Sequence, residues 1–572
     1  MVRRLLQFFE HEISGLHEAA YLLGFFALLS QILGFLRDRL LAAEFGAGET
    51  LDIYYAAFRV PDFIFIMTAS AVSLSVLIPF LSERRVEGRE RLRGFLDALF
   101  SAFFFGMALI GLAAFVAAPY LAELLFPGFS AAALAHTTTL MRIMLLQPLF
   151  LGVSNLFASV TQLERRFFVY AVSPLLYNIG IIAGILFFYP LAGLSGLAWG
   201  VVVGAFLHLV VQVPVLVRGG LLPHLVVRVR FREVASVVAL SFPRTLALSA
   251  QNIAILALTS LGSLFGSGAI AVFNLSWNLQ SVPLAIVGAS YSLAAFPTLA
   301  GFWSGGAREK FFETLFTAVR HILFWSFPAL ALFVVLRAQI VRTVLGAGAF
   351  DWADTRLTAS ALALFAVSVV AQSLLLLFTR AYYAAGRTRA PLLISIGGAG
   401  CTVFFAFLFA KLFASVPLFQ FFLESLLRVS DIPGTAVLAL PLAYSLGTIA
   451  SAVALWISFS RQFAPHLVVP QQGAGGARLS AATRTAGESF SASVIMGFVA
   501  YLLLNLFDDI FNIRTTFGIF SQGLFAGLGG IGAGAIVLYL LGNVEIHEVW
   551  RTFHHKIWRA RFVGPDPTDT SF

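Results

Sequence analysis

About fourteen apolar stretches of roughly 20 residues recur along this chain, each long enough to cross the hydrocarbon core of a bilayer as a helix. They fall near residues 21–45, 52–82, 95–118, 138–160, 168–189, 193–217, 236–262, 268–300, 314–338, 356–384, 391–413, 436–460, 488–506 and 518–541. A backbone inside lipid must satisfy its own hydrogen bonds, and windows of this length do so as helices rather than as strands. The expected class is therefore an all-α polytopic membrane protein of about fourteen transmembrane helices. Composition agrees, because 59% of the 572 residues are hydrophobic and only 11% are charged. The second, eighth and tenth windows are long and interrupted by Gly, Pro or polar residues, and kinks are expected there.

Arginine placement sets the orientation. Alternate connections are basic: Arg84, Arg85, Arg89, Arg91 and Arg93, then Arg165 and Arg166, then Arg218, Arg228, Arg230 and Arg232. On the same side follow Arg308 and Lys310, Arg387 and Arg389, Arg478 and Arg484, and a tail with Arg551, Lys556, Arg559 and Arg561. By the positive-inside rule both termini are expected to be cytoplasmic, which fits an even number of spans. The net charge of +9 then belongs to loops facing the membrane surface, and no nucleic-acid partner is expected. The start of the chain, R-R-L-L-Q-F-F-E-H-E, resembles a short interfacial helix more than a cleavable signal peptide.

The chain also echoes itself. F-G-A-G at Phe45–Gly48 precedes Pro61 and Pro79, and F-G-S-G at Phe265–Gly268 precedes Pro283 and Pro297. A second echo joins the segment around Pro174 to that around Pro391, at a similar offset. Such parallel repeats place a substrate between two halves. The expected order is an amphipathic N-terminus (1–20), a six-helix lobe (21–217), a cytoplasmic loop (218–235) and a second six-helix lobe (236–460). A flexible linker (461–487), two further spans (488–541) and a basic cytoplasmic tail (542–572) complete it.

Polar residues inside the spans are the candidate functional groups, since a charge at the bilayer centre costs about 2.5–3.5 kcal/mol and normally faces a bundle interior or cavity. The first span carries Gln31, Arg37 and Asp38 on overlapping helical stripes with Ser30 and Gly34. Arg37 and Asp38 read either as a structural pair or as cavity lining. Asp52, after a Gly-rich turn, reads either as the cap of the second helix or as a functional carboxylate. Arg59 and Asp62 flank Pro61, as a kink-stabilising pair or as ligand contacts. Arg142, Arg244 and Arg380 lie near span ends, where snorkelling is the default. Asn178, Gln251, Asn252, Asn274 and Asn278 are mid-span amides suited to interhelical hydrogen bonds. Ten histidines fall in no metal-ligand spacing, the single Cys401 excludes a disulfide framework, and no G-x-x-x-x-G-K-[ST] loop is present. No metal, no cofactor and no catalytic role are expected.

L-G-F-L-R-D, followed by F-G-A-G, Asp52 and A-F-R-V-P, resembles the signature of the MurJ/MviN lipid II flippase family, within the multidrug/oligosaccharidyl-lipid/polysaccharide exporter superfamily. Further resemblance lies in P-Y-L-A-E-L-L-F-P-G-F at Pro119, R-F-F-V-Y-A-V-S-P-L-L-Y-N at Arg166 and P-R-T-L-A-L-S-A-Q-N at Pro243. L-G-A-G-A-F-D-W-A-D-T at Leu345 and R-A-Y-Y-A-A-G-R-T-R-A-P at Arg380 extend it. The resemblance implies transport of a lipid-linked peptidoglycan precursor across the bacterial cytoplasmic membrane by alternating access of two lobes. It further implies a monomer whose partners are that lipid-linked glycan and membrane lipids, with a groove beside the last two helices for the polyprenyl tail. A cationic cavity would bind the pyrophosphate, for which the Arg fork is suited.

This chain departs from the family pattern at charged positions. Gln31 stands where the family usually has Arg, and Phe65 and Ile66 fall in the stretch after Pro61-Asp62 where it carries Arg-Arg. Ser70 lies near an acidic position, and Trp277, Asn278 and Ser281 replace the D-R-x-x-E pattern before Pro283. Losing three cations removes much of the attraction for a pyrophosphate. The site residues implied are Arg37, Asp38, Asp52, Arg59, Gln31, Asn278, Ser281, Arg244 and Gln251. Three functions remain open at this level: a lipid II flippase, a flippase for another lipid-linked glycan or a drug-type antiporter, and a non-transporting membrane scaffold.

Overall fold

A computed structural model describes residues 16–69, 74–226, 231–467, 474–512 and 515–558, apart from the side chains of a few residues at the edges of these ranges. Ser70 and the first fifteen residues lie outside them. Among the described residues the chain is helical, without strands. Among the described residues, twelve helical segments, from Arg89–Leu125 to Thr516–Leu540, are long and apolar enough to cross a membrane. The protein is a multi-pass membrane protein. These twelve match the third to fourteenth apolar windows. The first two windows form helices α1 (Leu16–Phe45), α2 (Glu49–Ala69) and α3 (Leu74–Glu87). The twelve agree with the expected polytopic α-helical class, and the described residues do not confirm the exact total of fourteen.

The chain divides into two compact units, one comprising residues 1–279, 341–368 and 387–455, the other 280–340, 369–386 and 456–572. In the first unit α1 to α3 are followed by α4 (Arg89–Leu125), α5 (Ala131–Met144), α6 (Leu146–Leu163), α7 (Phe167–Ala183) and α8 (Leu194–Val210). Ser130 caps α5 by accepting from the Ala133 N–H at 3.1 Å. Helix α7 continues into a π-helical segment, Gly184–Phe188, which the sequence pattern does not announce. Facing glycines let α7 and its extension meet α8 at backbone distance: a Cβ on Gly200 would lie 2.4 Å from the Gly184 Cα, and one on Gly180 2.2 Å from the Gly204 Cα. Between lipid-embedded helices such close approach replaces the hydrophobic drive that water supplies elsewhere.

Helices α9 (Phe231–Gly262) and α10 (Ala269–Pro283) continue the first unit as far as Leu279. After Pro283 the chain again turns π-helical, Leu284–Ala289, before α11 (Ser290–Ser304), so the eighth window is interrupted as expected. The tenth is not. It forms one α-helix, α14 (Trp352–Ala384), after α12 (Arg308–Val335) and α13 (Arg337–Leu345). It contains no Gly or Pro, so its polar residues leave the backbone ladder intact. Helices α15 (Arg389–Ser415), α16 (Pro417–Leu427) and α17 (Ala439–Leu467) follow.

The second unit ends in α18 (Ala474–Asp508), α19 (Thr516–Leu540) and α20 (Val544–Trp558). Helix α18 begins inside the stretch read as a flexible linker. Its Ala and Arg content favours helix, and Arg484 bonds Glu488 one turn on at 2.6 Å. Helix α20, within the expected basic tail, is fixed by Glu545: this buried carboxylate lies 3.2 Å from the Arg320 guanidinium and accepts from the Thr485 hydroxyl at 3.2 Å.

Candidate functional site

Within the first unit, α1, α2, α7 and α10 surround a cavity of about 280 Å³. Helix α1 contributes Arg37 and Leu41, and α7 contributes Tyr177 and Ile181. Helix α2 contributes Tyr54, Tyr55, Phe58, Arg59 and Asp62, a run whose spacing keeps it on one face. Asn274, Trp277 and Asn278 come from α10.

The charges of the cavity are largely engaged with protein groups. Arg37 directs its Nε and Nη2 at one oxygen of Asp38, at 2.9 and 2.8 Å, and donates from Nη1 to the Asn178 side chain at 3.2 Å. The other Asp38 oxygen accepts from Asn278 Nδ2 at 2.9 Å. Asp38 is 3% exposed, so it stands behind the lining and holds Arg37 and Asn278 in place. Arg59 donates to the Asn274 side chain, and Asp62 accepts from Gln147 of α6 at 3.2 Å. The buried Arg59 Nε and Tyr55 hydroxyl have no hydrogen-bond partner. Trp277 is braced by rings of its own unit: Phe365 at 5.5 Å and Tyr444 at 4.7 Å, both edge-on.

The residues singled out from sequence therefore separate. Arg37, Arg59 and Asn278 line the cavity and Asp38 backs it. Gln31 is half-buried on α1 but does not line it. Gln251, on α9, is hydrogen-bonded to Tyr444. Ser281 belongs to the second unit, and the Arg244 side chain lies outside the described residues. Asp52 is a cap, though not of its own helix: its carboxylate accepts from the N–H groups of Gly268 and Ala271 at the start of α10. The aromatic members, Tyr54, Tyr55, Phe58, Tyr177 and Trp277, were not selected from sequence as lining. The signal for the α2 group is the i, i+4, i+7 spacing of Tyr55, Arg59 and Asp62 on a span already marked by charge.

The sequence model of the family described as lipid II flippase MurJ matches residues 41–518. The chain belongs to this family. Among curated members, the lipid II flippase MurJ of Burkholderia cenocepacia is 26% identical over 382 residues, covering 65% of this chain and 74% of that protein. A probable lipid II flippase MurJ from Bdellovibrio bacteriovorus is 27% identical over 403 residues, covering 68% and 76%. Among solved structures, a lipid II flippase MurJ in an inward closed conformation shares the fold with a TM-score of 0.71 at 21% identity. That match covers 91% of this chain and 99% of the other. A multidrug resistance MATE transporter of the MOP superfamily, in an inward-facing conformation, follows at TM-score 0.60 and 15% identity, covering 76% and 95%. MurJ membership accounts for the helical membrane fold of the described residues.

Proposed function

We propose that this MurJ-family protein is a lipid II flippase, carrying the polyprenyl-pyrophosphate-linked peptidoglycan precursor from the inner to the outer leaflet of the bacterial cytoplasmic membrane. The observation that carries the reading is the family match across residues 41–518, which takes in α2, α7 and α10 of the cavity but only the last turn of α1, leaving Arg37 outside it. Two lobes, read from the repeat in sequence, would alternate access to the cavity. It acts as a monomer, with both termini cytoplasmic. Expression in a cell depleted of its own lipid II flippase tests the function: restored growth and cell-wall synthesis are expected, and failure to rescue at normal membrane levels rejects the reading. Reporter fusions after Gly48 and Glu83 should report opposite sides of the membrane; the same side for both rejects the orientation.

One observation favours a second reading, a flippase for another lipid-linked glycan. Arg37 is already paired with Asp38, and Asp62 shares the cavity with Arg59, so little uncompensated positive charge remains for a pyrophosphate. Rescue of a surface-glycan flippase mutant, without rescue of lipid II flipping, would select it.

A further inference from the structure

The cavity carries five aromatic rings and two amides against two guanidiniums and a carboxylate. Apolar walls with a few placed polar groups are typical of sites that orient a neutral or weakly charged group. Trp277 and Asn278, adjacent on α10, bring a flat ring and an amide to the cavity lining. The Trp277 ring is not free to turn away, because Phe365 and Tyr444 meet it at steep angles and Phe273, one turn earlier on α10, stacks near-parallel to it with ring centroids 6.2 Å apart. Asn278 is likewise fixed by its bond to Asp38. The result is a fixed indole beside an oriented amide, in a volume just below the roughly 300–1,000 Å³ usual for small-molecule sites.

We propose that this cavity reads the sugar of the lipid-linked substrate, with the Trp277 ring stacking on the apolar C–H face of a pyranose. The inference rests on the flippase reading above and names the part of the substrate that its site recognises. A saturated ring presents axial C–H groups of partial positive charge, which complement the negative face of an indole. Around its edge, hydroxyl or acetamido groups meet the Tyr55 hydroxyl, which has no protein partner, and the Asn274 and Asn278 amides. Pyrophosphate recognition becomes secondary, since the Arg37 charge is met by Asp38 at 2.8 Å.

The test compares two probes on purified full-length protein in nanodiscs: lipid II and undecaprenyl pyrophosphate, which has the same tail and pyrophosphate but neither the sugars nor the peptide they carry, so the Trp277 variants assign any preference to the stacked sugar. Wild-type protein is expected to bind lipid II roughly tenfold more tightly, about what an aromatic stacking contact provides. Trp277→Leu should erase that preference by weakening lipid II alone, while Trp277→Phe, which keeps a ring, retains most of it. Equal binding of both probes by wild type, or a Trp277→Leu loss that falls equally on both, overturns the inference and leaves the flippase reading standing. Wild-type protein that binds neither probe overturns both. Thermal unfolding of each variant separates a lost contact from a lost fold: a preference erased only in protein that has also lost its unfolding transition counts against the stacking role, and Trp277→Phe then decides it.

Discussion

The carboxylate of Asp52 accepts a 2.6 Å hydrogen bond from the backbone N–H of Gly268, a residue 216 positions further along the chain. Its other oxygen accepts from the Ala271 N–H at 2.7 Å, so one buried acid closes the buried N-terminal turn of α10. A carboxylate there meets both unsatisfied donors and the positive end of the helix dipole. The same corner is tied again by Asp354, which accepts from the Ala47 N–H at 3.0 Å, and by Ala349, which donates to the Ala43 carbonyl at 2.8 Å. The F-G-A-G turn after α1 therefore touches both the turn before α10 and the turn before α14.

Replacing Asp52 by Ala should lower stability by about 1–2 kcal/mol, the usual worth of a helix cap, with Asn losing less because it keeps one acceptor. Thermal unfolding of detergent-solubilised protein measures this. An Ala variant as stable as wild type would mean that the cap contributes nothing.

Gly268 and Gly266 make a contrasting pair. Both have positive φ, +87° and +93°, which any side chain strains. A Cβ on Gly268 would also sit 1.9 Å from the Ala47 carbonyl oxygen, while one on Gly266 meets nothing within 4 Å. Gly266→Ala should cost about 1 kcal/mol from conformation alone, and Gly268→Ala clearly more, because the two turns must part. Equal losses in the two variants would show that the approach of the turns is not tight.

The apolar windows and the polar face of the first span were legible because lipid allows few solutions for a backbone and few places for a charge. Pairings over distance were not. Asp52 sits in the first turn of α2, where local rules assign it to its own helix, and nothing nearby in sequence points to Gly268. Gln31 and Arg37 lie on overlapping polar stripes, yet which of them faces the cavity depends on where α2, α7 and α10 pack. Hydrogen-bond registers that slip by one residue, as at Gly184–Phe188, leave no periodic trace. Trp277 reads in isolation as an ordinary apolar residue, and only its bracing by Phe365 and Tyr444 marks it as fixed.

Two arginine insertions separate lining from stripe. Asn278 lines the cavity beside Asp38, whereas Gln31 does not line it. Asn278→Arg should therefore change the affinity for a pyrophosphate-bearing lipid by several-fold, since an ion pair at contact is worth about 4 kcal/mol at an effective dielectric near 20 before desolvation. Gln31→Arg should leave it close to wild type. An effect of equal size in both variants would place Gln31 in the site and contradict the geometry.

Arg37 needs a paired experiment, because its loss has two consequences. Arg37→Ala removes a lining cation, but it also strands the Asp38 carboxylate, 3% exposed, without its counter-charge. Breaking such a buried pair costs about 3–5 kcal/mol, so lost transport in the single variant would not identify a ligand contact. Asp38→Asn combined with Arg37→Gln removes both charges and keeps groups able to hydrogen-bond Asn178 and Asn278. If the pair is a strut, the double variant should recover most of the stability and the transport together. If Arg37 also holds the substrate, stability should return while transport does not. Arg37→Lys then grades the contact, since Lys keeps the charge but lacks the fork that reaches Asp38 and Asn178 together. Measuring thermal unfolding and lipid transport on the same three proteins decides between the roles, and full transport by the double variant would remove Arg37 from the substrate-binding set.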